Sequence, residues 1–260
     1  MPLIGFSTGA IALGDFECAL NLLKQTSMSA VELSALRLQE LPILIAALPQ
    51  IDLQKFEYVA LHAPSRFSPE EEMSVTELLE GVPKEINIII HPDTIHDSGR
   101  WTAFGAQLVI ENMDRRKSFG RSAEELRHWF DILPESSLCL DLAHAHQFDR
   151  TMTEAYRILR SYKDRICQLH VSELDSAGHH FPLSFGSMKA FAEVAAMIPE
   201  TAPIIIESLN PYSIDQEDVL LSWIELEARR ALSALRRIDE CESLDSPSHI
   251  FNALDATATC

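Results

Sequence analysis

The segment INIIIHPDTIHDSGRWTAFGAQLVIEN (86–112) decides the architecture. Two apolar runs, INIIIH (86–91) and QLVIEN (107–112), flank a short helical stretch around 100–105. The runs are continuous rather than alternating, as expected for parallel strands covered on both faces. The segment therefore reads as strand, short helix, strand.

Runs of the same kind recur on both sides of it: LIGFST (3–8), AVELS (30–34), YVALH (58–62), SLCLDL (137–142), ICQLHV (166–171) and APIIIES (202–208). Helical patterns lie between them. Residues 15–25 carry apolar side chains at helical spacing. Ser68 reads as an N-cap, with Pro69 at the first helical position and Glu70 and Glu71 in the first turn. Ser122 and Glu125 form a capping-box pattern. Residues 187–197 and 215–238 continue the alternation. Eight strands, each followed by a helix or helical turn, predict an α/β fold, a single-domain (β/α)₈ TIM barrel over 1–241. The length of 260 residues suits it. Residues 242–260 lose periodicity and are expected to form a loosely ordered C-terminal tail, with a short turn around 250–254.

Hydrophobic residues make up 47% of the chain, enough for a sizeable core. No apolar run reaches the roughly 18 residues of a membrane span. The first ten residues lack a basic n-region and a long apolar h-region, so no signal peptide is expected. The five cysteines, Cys18, Cys139, Cys167, Cys241 and Cys260, are scattered and odd in number, which fits reduced thiols in the cytoplasm. With 21 Lys and Arg against 39 Asp and Glu the net charge is −18. A protein that grips a phosphate backbone shows a basic face, so duplex DNA is disfavoured as a substrate.

Six apolar runs end in a metal-ligand type: His62, His91, Glu111, Asp141, His170 and Glu207. Asp and Glu number 39 and His 10 among 260 residues, so composition alone does not produce six out of six. In a parallel barrel all these strand ends open onto one face, where active sites sit. Three carboxylates gathered there need a cation, because two like charges about 4 Å apart cost roughly 4 kcal/mol at an effective dielectric near 20. Mixed imidazole and carboxylate ligands suit Zn²⁺, Mn²⁺, Fe²⁺ or Co²⁺. Glu32, at the end of AV in the second strand, is a candidate substrate contact, with a polar pocket residue or a salt-bridge partner as the alternatives. Arg115, Arg116, Lys117 and Arg121 cluster just after Glu111. Arg115 and Arg116 are the candidates for binding a substrate phosphate or carboxylate, with Arg66 and Arg100 placed to add to them. His96, His146 and His179 are expected to be loop residues.

Taken together, LHAP at His62, IIHPD at His91, IENMD at Glu111, CLDLAH at Asp141 and His144, QLHVSE at His170 and IIES at Glu207 resemble the xylose isomerase-like TIM-barrel superfamily. That superfamily includes endonuclease IV and sugar isomerases and epimerases. Its ketose epimerases bind one metal through a Glu, Asp, His, Glu set, which Glu111, Asp141, His170 and Glu207 match. There the two glutamates also move the substrate proton. An arginine usual shortly after the third ligand is missing from VSELDSAG (171–178).

Endonuclease IV carries three metals. His62 and His91 match its first-metal histidines, Glu111 its bridging glutamate, and His144 a third-metal ligand. His180 falls on the histidine of its D-x-H motif, but Gly178 stands where the aspartate belongs. One or two ions are therefore expected.

The resemblance implies a metal-dependent isomerase or epimerase, with Glu111 and Glu207 catalytic. Its substrate would be a small sugar or sugar-phosphate-like molecule, deprotonated next to a carbonyl. An endonuclease IV-like multimetal phosphoesterase is the alternative. Homo-oligomerisation is a further expectation, since barrels of this kind often pair.

Overall fold

The computed structural model describes residues 2–236, so the expected tail and its turn lie outside the described residues. The strands are β1 (Ile4–Ser7), β2 (Ala30–Ser34), β3 (Tyr58–His62), β4 (Asn87–Ile90), β5 (Leu108–Glu111), β6 (Ser137–Asp141), β7 (Ile166–Val171), a two-stranded hairpin of β8 (Glu173–Leu174) and β9 (His180–Phe181), and β10 (Ile204–Ile206). All but the hairpin close into one parallel barrel in the order β1-β10-β7-β6-β5-β4-β3-β2. All eight predicted strands are present.

Side chains alternate between the two faces of a strand. Outward-facing Leu33, Leu61, Ile88, Ile90, Ile110, Leu140 and Ile206 join the main core beneath the helices. Ala60, Ile89, Val109 and Cys139 form a separate cluster that plugs the barrel interior. Two residues beyond each of these four come His62, His91, Glu111 and Asp141. The period of two thus stacks the ligand-type residues directly above the plug, at the C-terminal mouth.

The helices are α1 (Thr8–Ala12), α2 (Phe16–Leu23), α3 (Leu41–Ala47), α4 (Glu72–Leu79), α5 (Ser98–Trp101), α6 (Ala123–Ile132), α7 (Leu142–Phe148), α8 (Thr153–Tyr162), α9 (Phe185–Ala192) and α10 (Glu217–Ala234). Several boundaries differ from the sequence expectation. Helix α4 starts at Glu72, not after Ser68. The Glu71 carboxylate accepts from the Ser68 N–H at 2.8 Å, so this turn is tied by the acid rather than by the serine hydroxyl. The Glu72 carboxylate turns inward and accepts from the backbone of His96 and Asp97 and from Trp101 Nε1, locking α5 against α4. Ser122 caps α6 through the Glu125 N–H, but Glu125 reaches Arg121 instead of closing the capping box. The expected helix at 187–197 is α9, capped by Ser184, followed by a separate 3₁₀ turn at Ala195–Met197.

Strand β6 gives way to α7 without a loop. Asp141 is the N-cap, accepting from the His144 N–H at 2.7 Å. His146 therefore lies on a helix, edge-on to Phe191, and not in a loop.

Candidate metal centre

Strand register decides which side chains meet. Asp141 pairs with His170, while Glu32 pairs with Ala60 one layer lower. His170 sits fully buried between the two layers. Its Nε2 donates to Glu32 Oε2 at 2.9 Å. That leaves Nδ1 directed upward, 3.5 Å from both Glu111 Oε1 and Glu207 Oε2, with no hydrogen-bond partner. Asp141 is held similarly: Oδ1 caps α7, while the buried Oδ2 accepts no hydrogen bond and lies 3.3 Å from His144 Nδ1. Buried polar atoms normally find partners. Two such open atoms, converging with Glu111 and Glu207, fit a cation. One ligand atom from each of Glu111, Asp141, His170 and Glu207 can be chosen so that all lie within 4.8 Å of one another.

A second group shares Glu111. Its Oε2 faces His62 Nε2 at 3.1 Å and His91 Nε2 at 3.3 Å. His62 Nδ1 donates to the Ala63 carbonyl at 2.7 Å, which aims Nε2 into the site. His62, His91 and Glu111 form a ligand group of the same tightness. The two oxygens of Glu111 thus look in different directions, one toward each group.

His144 belongs to neither ligand group but touches the Glu111 they share. Its Nδ1 donates to the Asn112 carbonyl at 2.9 Å and lies 3.0 Å from Glu111 Oε1. Its Nε2 faces Asp114 Oδ2 at 3.9 Å. The hairpin brings His180 to the edge of the site, with Nδ1 2.8 Å from Ser172 Oγ and 3.6 Å from Glu207 Oε2.

The electrostatics are those of a crowded acid–imidazole cluster. Burial, with Glu111 and Asp141 adding to it, pushes the Glu207 carboxyl up to about 8. Burial raises Asp141 to about 6. Burial opposes charge on His62 and His144, but facing carboxylates win and lift them to about 9 and about 10. Burial and the neighbouring His144 charge drop His180 to about 3. Burial works against the Glu111 carboxylate as well, yet the surrounding imidazoles hold it well below its usual range.

A cavity of about 240 Å³ opens over the centre. His62, His91, Glu111, His144, His180 and Glu207 line it, while Asp141 and His170 lie beneath its floor. Glu32 is fully buried in the plug layer, where its carboxylate accepts from His170 and, at 2.6 Å, from Gln168 Nε2. Arg116 is on the cavity wall, paired with Asp114 at 2.6 Å. Arg115 is exposed and off the wall; Arg100 pairs with Asp97 on α5.

Two residues escaped the sequence reading. Asn112 staples β5 to β6, with Oδ1 accepting from Asp141 N at 2.8 Å and Nδ2 donating to Asp141 O at 2.9 Å. Gln168 links Glu32 to Tyr58, whose hydroxyl donates to Gln168 Oε1 at 2.7 Å. The only sequence signal for either was a polar residue beside or two before a strand-end ligand.

Against solved structures, the chain matches the IolI protein with a bound zinc atom at a TM-score of 0.61 and 12% identity, over 90% of this chain and 98% of that one. The chain has a TIM-barrel fold. A xylose isomerase-like barrel protein from Mycobacterium smegmatis, in complex with magnesium, matches at TM-score 0.53 and 11% identity, over 86% and 91%. A candidate sugar phosphate isomerase/epimerase from Anabaena variabilis matches at 0.54 and 13%, over 90% and 99%. No family model matches this chain, and no curated protein does.

Proposed function

We propose that this protein is a divalent-metal-dependent enzyme of the isomerase or epimerase type, acting on a small sugar-like molecule. The observation that carries the reading is the Glu111, Asp141, His170, Glu207 cluster, with open donor atoms aimed at one point beneath a cavity. The donor chemistry suits Zn²⁺, Mn²⁺, Fe²⁺ or Co²⁺. The zinc and magnesium bound by proteins of this fold support a divalent ion here. An ion held by these four residues supplies Lewis-acid polarisation of substrate oxygens.

The chain's own residues do the rest. Glu207 and Glu111 are the ligand carboxylates that reach the cavity, from strands separated by β7 and β6. One takes a proton from the carbon next to the substrate carbonyl and the other returns one. His62 and His180 bound the cavity and orient substrate hydroxyls. Glu32 and Asn112 hold His170 and Asp141 in place from below and behind.

The test is deuterium incorporation from D₂O into the carbon-bound positions of a panel of aldoses, ketoses and their phosphates, read by NMR. Exchange that requires metal, and that Glu207→Gln and Glu111→Gln abolish, is expected. Exchange and metal content unaltered by both substitutions sink the proposal.

The His62, His91, Glu111 group favours a second reading, hydrolysis of a small phosphate ester, for which these three residues would hold one ion and Glu111, Asp141, His170 and Glu207 another. Two bound metals per chain, with one lost in His62→Ala and His91→Ala, and phosphate released from an ester, select that reading. A single metal indifferent to both substitutions rejects it. Among the described residues no helix is long and apolar enough to cross a membrane. Cys18, Cys139 and Cys167 are free thiols, so the proposed setting is the cytoplasm.

A further inference from the structure

Beside the metal-centre cavity lies a second chamber of about 470 Å³. The two share Ser65, Arg66, Arg116 and Lys117, which therefore form the boundary between them. Three cations at one boundary stand out in a chain of net charge −18. Their partners differ. Lys117 pairs with Asp93 at 2.6 Å, and Arg116 pairs with Asp114. The guanidinium of Arg66 has no hydrogen bond or ion pair to any described residue, and the Ser65 hydroxyl is equally open.

Arg116 is built into this wall. Its Nε and NH2 donate to Asp114 and its NH1 to the Ala177 carbonyl, tying the loop after β5 to the β8–β9 hairpin. The hairpin makes room for it at Gly178, whose φ is +83° and where a Cβ would overlap the guanidinium. The fork spends three of its five N–H groups on these contacts, leaving two.

We infer that this boundary is a phosphate-monoester subsite, with Arg66 as its principal cation and Lys117, Arg116 and the Ser65 hydroxyl around it. A phosphate presents several acceptor oxygens, which suits a ring of separate donors better than a single carboxylate does. The inference rests on the metal-centre reading only for the other end of the substrate. The carbon to be deprotonated lies over Glu111 and Glu207, and the phosphate points outward between the chambers. Arg115, the neighbour in sequence, has no part in it, because it does not line either cavity.

The experiment titrates inorganic phosphate calorimetrically into the purified metal-loaded protein and into its Arg66→Ala variant at low salt, then repeats both after chelator treatment. A thermal melt establishes that the variant is folded, as expected for an exposed loop residue. Phosphate binding at least tenfold weaker in Arg66→Ala, with the same difference after metal removal, is the expected result. Equal affinity in the two proteins overturns the subsite, as does loss of the difference with the metal, which places phosphate on the ion. Acetate competing as well as phosphate overturns the phosphate assignment. None of these readouts uses turnover, so failure of the deuterium-exchange test would condemn the metal chemistry and leave this result standing.

Discussion

Glu32→Gln tests the architecture beneath the proposed metal centre. Glu32 is fully buried and touches no part of the cavity, so a substrate-binding role and a supporting role predict different outcomes. In the supporting role, Oε2 accepts from His170 Nε2 at 2.9 Å and from Gln168 Nε2 at 2.6 Å. The first of these bonds fixes the tautomer that leaves His170 Nδ1 bare toward Glu111 and Glu207. The charge of the carboxylate also makes the imidazole a stronger donor. Glutamine keeps the volume but removes that charge. Loss of such outer support costs 10–100-fold in metal affinity, about 1.4–2.8 kcal/mol. The assay is competition for Zn²⁺ or Mn²⁺ against a chromogenic chelator, with a thermal melt of the metal-free protein alongside. Weaker metal binding at a preserved fold is expected. Wild-type metal affinity in the variant would refute the support argument, and a loss of affinity that merely follows unfolding would refute it too.

Other outcomes follow from the same geometry. Asn112→Ala removes both side-chain bonds to the Asp141 backbone in a fully buried position, so stability falls by about 1–3 kcal/mol in a denaturant titration. Metal affinity should rise with pH between about 6 and 8. Asp141 and Glu207, raised to about 6 and about 8, are protonated below those values and must release protons to become ligands, so acid weakens binding; calorimetry in buffers of different ionisation enthalpy measures the release. Gly178→Ala places a Cβ in the Arg116 guanidinium at a positive φ, costing about 1–3 kcal/mol and exposing the hairpin to faster amide exchange; unchanged exchange there counts against the loop-tying role of Arg116.

The CLDLAH stretch illustrates how legible the chain was. An apolar run ending in aspartate marked a strand end, and Asp141 does cap the interior column. That the next residue begins a helix was not legible, because the same apolar residues satisfy either period over so short a span. Glu32 is the instructive case. Like the six ligand candidates it follows an apolar run, and only the pairing of β2 with β3 sets it level with Ala60 instead of His62. In the basic loop, composition pointed to Arg115 and Arg116 together, yet adjacent residues leave a loop in different directions, and only Arg116 faces the cavity.

Local pattern determined what is local. Continuous apolar runs set the eight strands, helical spacing set most of the elements between them, and the two-residue alternation put ligand-type side chains on the interior column at one end. These follow from backbone geometry that each short segment carries by itself. Tertiary structure decided stagger and reach: which layer a carboxylate occupies, which imidazole nitrogen is left bare, and which cations from separate loops share a wall. Those depend on the shear between neighbouring strands and on long side chains meeting across the barrel, distances that no single segment encodes.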